Sequence, residues 1–184
     1  MDNKYTLFER IKGHWNTINE HKIMVMKHCF KCGLYKQGLL HDLSKYTPIE
    51  FIAGVKYYQG FRSPNSAQRE AEGYSDAWLH HKGRNRHHFE YWIDYTVNKE
   101  DGIQGMLMPK EYVVEMFCDR VAACKIYHKE KYTDKDALDY FMLGKGHYVM
   151  HKETEELLEK LLKMLALKGE KYTFSYIRHM LASK

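Results

Sequence analysis

Hydrophobic positions recur at three- and four-residue intervals through most of the chain, the period of an amphipathic helix rather than the two-residue alternation of a strand. Over residues 6–32, Leu7, Ile11, Trp15, Ile18, Val25 and Cys29 follow this spacing and predict one long helix stopped by Gly33. His14, His21 and His28 lie on the same helix, each seven residues from the next, so they drift by only ~20° per step and share a face. Each step also climbs about 10 Å along the axis, which lets at most one or two of them reach a single ion. Taken one at a time, each reads as a histidine with no ligand role.

A break is expected over 33–38, then a short helical turn holding His41 and Asp42. Thr47, Pro48 and Glu50 read as an N-cap, a first-turn proline and a capping-box acid, opening a helix through Phe51, Ile52, Val55 and Tyr58 to about Gly60. Residues 61–73, rich in serine, proline, asparagine and charge, read as the longest irregular connection. Ser75 caps a helix ending near Gly83, and a second helix from around Arg86 carries Phe89, Trp92 and Ile93 inward. After a glycine-rich connection over 101–108, Pro109 opens a helix over 111–129 with Tyr112, Met116, Ala123 and Ile126 at core spacing. Thr133 caps a helix through Leu138, Tyr140 and Phe141, and a turn follows at Gly144 to Gly146. A strongly amphipathic helix over 151–167 ends at Gly169, and a last helix from Thr173 holds Ile177 and Leu181. The predicted fold class is all-α: one helical domain over 1–184, a motif-bearing core at 7–131 and supporting helices at 133–184.

With 184 residues, of which 44% are hydrophobic, the chain can bury a core. No window approaches the roughly 18 apolar residues of a membrane helix, and the N-terminus lacks a signal-peptide apolar core, so the expectation is a soluble, cytoplasmic protein with no membrane partner. The 29 basic residues are interspersed with 24 acidic ones, so nucleic acid is not indicated; the net +5 suits an anionic small-molecule substrate. Oligomeric state, a homodimer included, stays open. Cys29, Cys32, Cys118 and Cys124 make no disulfide framework, and the Cys29-x-x-Cys32 pair has no second pair to complete a zinc knuckle. Partly buried thiols in a reducing compartment are expected.

The chemistry centres on Gly38-Leu39-Leu40-His41-Asp42-Leu43-Ser44-Lys45. Histidine supplies a neutral nitrogen and aspartate a hard anionic oxygen, a set suited to iron, manganese or zinc. Neighbours on a regular helix point about 100° apart, so both reach one ion most easily at a helix end or a distorted turn, which Gly38 and Pro48 would allow. The pair needs partners, and two more stretches offer them. His80-His81-Lys82-Gly83-Arg84-Asn85-Arg86-His87-His88 holds four histidines in nine residues around a glycine, and the flanking Trp78, Leu79, Phe89, Tyr91 and Trp92 argue for burial rather than a solvated tract. Lys82, Arg84 and Arg86 add donors for an anion. Asp119 sits mid-helix among Cys118, Val121, Ala122 and Ala123, costly to bury unless paired with arginine or a cation.

Together these motifs resemble the HD-domain superfamily of metal-dependent phosphohydrolases, and within it a small uncharacterised family of bacterial and phage proteins. The resemblance spans roughly 7–131 and implies an HD-like helical bundle with the metal site in its core. It implies His21 as first ligand, with His28 the alternative, His41 and Asp42 as the paired ligands, Asp42 bridging if there are two ions, and Asp119 closing the set. His80 or His81, and His87 or His88, match histidines that hold a second ion. The implied cofactor is one or two divalent ions of iron, manganese, nickel, cobalt or zinc. Metal-activated water would hydrolyse a nucleotide or small phosphorylated metabolite, with Lys45 beside the water and phosphate, Arg84 or Arg86 neutralising developing charge, and Lys82 and Asn85 in the substrate-binding set. The Gly-Tyr-Pro motif of cyclic dinucleotide phosphodiesterases is absent, which disfavours that activity. An HD-fold di-iron oxygenase and a non-catalytic nucleotide- or partner-binding module are the alternatives.

Overall fold

Helix α1, Leu7–Cys32, is fixed at both ends by its own sequence: the Thr6 hydroxyl accepts from Glu9 N, the Glu9 carboxylate accepts from Thr6 N, and Gly33 closes it in the left-handed region at φ 86°. The computed structural model describes residues 4–183. The buried face of α1 is His14, Ile18, His21, Val25, His28, Cys29 and Cys32, so the histidine series lies on the core side. Leu7, Ile11 and Trp15, expected inward, are 60%, 40% and 50% exposed, because the first turns of α1 extend past the core and Trp15 only abuts Tyr46 and Phe51.

Helix α2, Tyr35–Leu40, includes Gly38, which was expected to lie in a break. A Cβ there would lie 3.0 Å from Cys29 Cβ, so this glycine serves the close approach of α2 to α1. His41 ends α2, and Asp42 stands at φ 55°, ψ 27°, a left-handed conformation that aspartate tolerates better than most residues, before one 3-10 turn at Leu43–Tyr46. Helix α3, Pro48–Lys56, starts at Pro48 as expected but stops short of Gly60. The Thr47 hydroxyl donates to Ser44 O instead of capping, and Glu50 is buried and turned towards His80 and His81, so the capping box does not form.

Residues 61–73 are not irregular: helix α4 spans Pro64–Glu72. Ser63-Pro64 repeats the Thr47-Pro48 start, and the inward face is only Ala67 and Gln68, too small an apolar signal to register as a period. Helix α5, Asp76–Lys82, is capped by Ser75 Oγ accepting from Trp78 N and ends at Gly83. The helix expected from Arg86 is replaced by a 3-10 turn at Phe89–Trp92 and an antiparallel hairpin, β1 Ile93–Tyr95 with β2 Ile103–Gly105, Ile93 opposite Gly105. Ile93, Tyr95, Thr96 and Val97 favour extended backbone, which overrides the helical reading.

Helices α6, Lys110–His128, α7, Asp136–Gly144, and α8, Lys152–Ala182, complete the chain; α8 is broken at Gly169, whose φ 75° and ψ 173° mark the expected stop as a kink between two helical pieces. With 72% of the residues helical and one small hairpin among the described residues, the architecture is all-α. Among the described residues, no helix is long and apolar enough to cross a membrane.

The core joins α1, α6 and α8 through Val25, Phe117, Val121, Leu158, Leu162 and Ile177, all fully buried. Cys29, Cys32 and Cys118 sit inside it, deeper than expected, with Cys32 Sγ 3.9 Å from Cys118 Sγ, and burial raises the Cys118 thiol well above its ordinary value. This apolar packing fills one stretch of the α1–α6 seam. The adjoining stretch, covered by the α2–α3 junction and α5, receives charged and imidazole groups instead.

His28 marks the boundary: its Nδ1–H donates to Cys118 O, and its ring packs on Phe174 at 5.1 Å. Burial, helped by Lys125, lowers it from the ordinary 6.5 to about 4. The unfolded chain therefore takes up this proton first, and stability is lost as pH falls from 6.5 towards 4. Between about pH 7.5 and about pH 5, the wild type should lose about 2 kcal/mol more unfolding free energy in urea than His28→Leu. Equal losses would show that His28 does not fold as a buried neutral ring.

Candidate metal centre

The left-handed backbone at Asp42 aims its carboxylate into the α1–α6 seam, where its two oxygens face different partners. Oδ1 lies 3.3 Å from His81 Nε2 and 3.4 Å from His87 Nε2. Oδ2 lies 3.4 Å from His41 Nε2 and 4.0 Å from His21 Nε2. Asp119 Oδ1, from α6, is 2.8 Å from His21 Nε2 and 3.3 Å from His41 Nε2. Two donor groups share Asp42: His21, His41, Asp42 and Asp119 in one, Asp42, His81, His87 and His88 in the other. A third, His41, His87 and Glu115, adjoins them, the donor atoms of each group within 4.8 Å of one another. Donors about 2.1 Å from one ion in a tetrahedral set stand about 3.4 Å apart, which is the spacing found around Asp42.

Hydrogen bonding makes the same point. His41 Nε2, both Asp42 oxygens, His87 Nε2 and His88 Nε2 are buried without a hydrogen-bond partner among the described residues. Lys45 Nζ comes within 2.7 Å of Asp42 Oδ2, but off hydrogen-bond geometry. An orphaned buried polar atom costs about 1–3 kcal/mol, so several of them converging on one point is the arrangement a cation would relieve. The donor set therefore fits divalent metal ions.

The outer ring nitrogens are held in turn. His41 Nδ1 lies 2.9 Å and His87 Nδ1 3.2 Å from the same oxygen of Glu115, so one carboxylate on α6 orients a ligand from each group. Glu50 Oε2 is 2.8 Å from His81 Nδ1, while Glu50 Oε1 holds His80 Nδ1 at 2.6 Å. A carboxylate on Nδ1–H leaves the Nε2 lone pair facing the cluster. Burial works against the Asp42 and Asp119 carboxylates, but His41 and Lys45 around Asp42, and His21 and His41 around Asp119, outweigh it and hold both well below the usual range. Burial likewise opposes the Lys45 ammonium, and Asp42 and Asp119 reverse that and keep it charged. A cavity of about 530 Å³ opens onto this cluster, with His21, Lys45, His81, His88 and Asp119 in its wall, a size suited to a small-molecule ligand.

Residues 10–164 match a family of unknown function, DUF5662. The chain belongs to that family. No curated protein and no solved structure matches it. The DUF5662 match covers every residue of both donor groups and both supporting glutamates.

Of the side chains singled out in the sequence, the fold brings together His21, His41, Asp42, Lys45, His81, His87, His88 and Asp119. His28 stays in the core, and His80 turns onto Glu50 outside both groups. One ring of each histidine pair was expected to act; both His87 and His88 face the cluster. Lys82, Arg84, Asn85 and Arg86 do not line the cavity. Arg84 is exposed and donates to His80 O, Arg86 projects outward between Tyr91 and Tyr112, and Asn85 braces Ser44 and His81 O. The tight turns after Gly83 aim His87 and His88 inward and so send the arginines out. The cations on the cavity wall are instead Lys45, Arg62 and Arg120.

Glu115 went unread, although it lies four residues before Asp119 on the same helical face, and Glu50 was read as a cap. Glu115→Gln, which keeps an acceptor and removes the charge, should weaken metal binding roughly tenfold to hundredfold in a chelator-competition titration. His28→Leu should leave it unchanged. An unaltered affinity in Glu115→Gln would remove Glu115 from the site.

Proposed function

We propose that this protein is an HD-type metal-dependent phosphohydrolase acting on a nucleotide or small phosphorylated metabolite. The observation that carries the reading is Asp42, each of whose oxygens faces a separate histidine group beside a lysine at the end of an open cavity. His21, His41, Asp42 and Asp119 would hold one ion and Asp42, His81, His87 and His88 the other. When bound, such a pair supplies Lewis acidity that lowers the pKa of water and polarises a phosphoryl oxygen.

The remaining work falls to the chain's own residues. Lys45 keeps its charge and exposes 28% of its side chain to the cavity, so it can donate to a non-bridging phosphoryl oxygen and offset charge that develops during attack. Glu50 and Glu115 fix ring orientation, so that donors are in place before substrate arrives. The aromatic wall of the cavity, including Trp78 and Phe89, limits water around the reacting group.

A second reading has one feature in its favour: five imidazoles against two carboxylates also suit a pair of irons. Oxygen uptake by iron-loaded protein with no phosphate release would favour a di-iron oxygenase, and ligand binding without turnover a non-catalytic module.

Metal content and a phosphatase screen on wild type, Asp42→Ala and Lys45→Ala test the proposal. Asp42→Ala should lose bound metal and activity together. Lys45→Ala should keep its metal and lose turnover by roughly 10²- to 10³-fold. Full metal content and activity in Asp42→Ala would contradict the assignment.

A further inference from the structure

Close in sequence to the candidate ligands Asp119 and His88, the same cavity wall carries a basic and an acidic side chain, Arg120 and Glu90, that the hydrolytic reading does not use. Glu90 Oε2 and Arg120 Nε are both buried and, among the described residues, have no hydrogen-bond partner. Both side chains are in the cavity wall, and they form no ion pair with each other. Arg120 is held in place by ring faces instead, its guanidinium carbon 5.7 Å from the Tyr148 ring and 6.0 Å from the Phe141 ring. Phe89, next to Glu90, packs on Tyr148 at 5.1 Å. The wall here is thus aromatic, through Phe89 and Tyr148, with one unpaired donor and one unpaired acceptor among the described residues.

Such a wall suits a flat heterocycle that presents acceptors on one edge and donors on another. Among the bases, guanine offers O6 and N7 as an adjacent acceptor pair for a guanidinium, and N1–H with the 2-amino group as an adjacent donor pair for a carboxylate. Adenine has no second donor beside its 6-amino group, and pyrimidines present a smaller face to the aromatic rings. The two unpaired groups would also favour such a base over others, because a base that fails to engage them leaves both unsatisfied.

We infer that Glu90 and Arg120 form a base-recognition subsite selective for guanine, which makes a guanine nucleotide the substrate. The inference rests on the nucleotide arm of the phosphohydrolase reading, but the base can be tested without the phosphate. Guanosine, inosine and adenosine are titrated into metal-loaded protein, following tryptophan fluorescence, with Trp78 on the cavity wall as reporter. Guanosine should bind roughly tenfold to hundredfold more tightly than adenosine, with inosine, which lacks the 2-amino group, in between. In Glu90→Gln the preference should collapse to about twofold or less, with metal content unchanged. Arg120→Met, which keeps an apolar stem against Tyr148, gives the same readout should Glu90→Gln fail to fold.

Equal binding of guanosine and adenosine by wild type, or an undiminished preference in both variants, overturns the subsite. Guanosine preference without hydrolysis of any phosphate ester supports the subsite and defeats the hydrolase reading. Hydrolysis of phosphate esters without any base preference does the reverse.

Discussion

The folded chain places two carboxylates and five imidazoles in a helix seam beside a cavity, several of their atoms cut off from water and from protein partners, and the groups around that seam compensate for it. Charged and polar groups are ordinarily kept from such positions, or paired when they occur. Here the inner atoms of His41, Asp42, His87 and His88 have no hydrogen-bond partner among the described residues, while the outer nitrogens of His41, His81 and His87 are each held by a buried glutamate. Satisfied on the outside and orphaned on the inside is the arrangement of a preorganised ligand shell, and it would be a costly one without a cation.

The architecture follows from that constraint. α1 and α6 supply His21, Glu115 and Asp119 from regular helix, where packing by the α1–α6–α8 core fixes their positions. His81 comes from the last turn of α5, and the remaining donors from places where helices stop: His41 at the end of α2, Asp42 on a left-handed residue, and His87 and His88 in the turns after α5. Helix ends can point neighbouring side chains to one centre, which a regular helix cannot do for residues side by side in sequence. Rigid helices hold one half of the site and specific turns hold the other.

Much of this was legible beforehand, for identifiable reasons. Long periodic segments and strong caps, such as Thr6 with Glu9 and Gly33, announce α1, and clustered histidines beside bulky apolar residues announce a buried site. What failed was of three kinds. Elements with little apolar surface were missed: α4 buries only Ala67 and Gln68, and the hairpin has three residues per strand. Side-chain direction around a turn was also out of reach, so Arg84 and Arg86 were placed with the substrate while Arg62 and Arg120, far from the motif in sequence, line the cavity. Glu50 shows a third difficulty, since a residue type fitting a local role was taken by a long-range one to His80 and His81. The family match covers residues 10–164 and adds no activity, so function rests on the geometry of the site.

The central claim is that Asp42 lies between two ions. Anomalous diffraction at the manganese edge, on crystals of protein loaded with manganese, tests it directly. The account predicts two peaks about 3.5–4 Å apart, one among His21, His41 and Asp119 and one among His81, His87 and His88, with the Asp42 carboxylate between them. An absence of peaks at Asp42, or a peak held instead by Glu50 and His80, would contradict it.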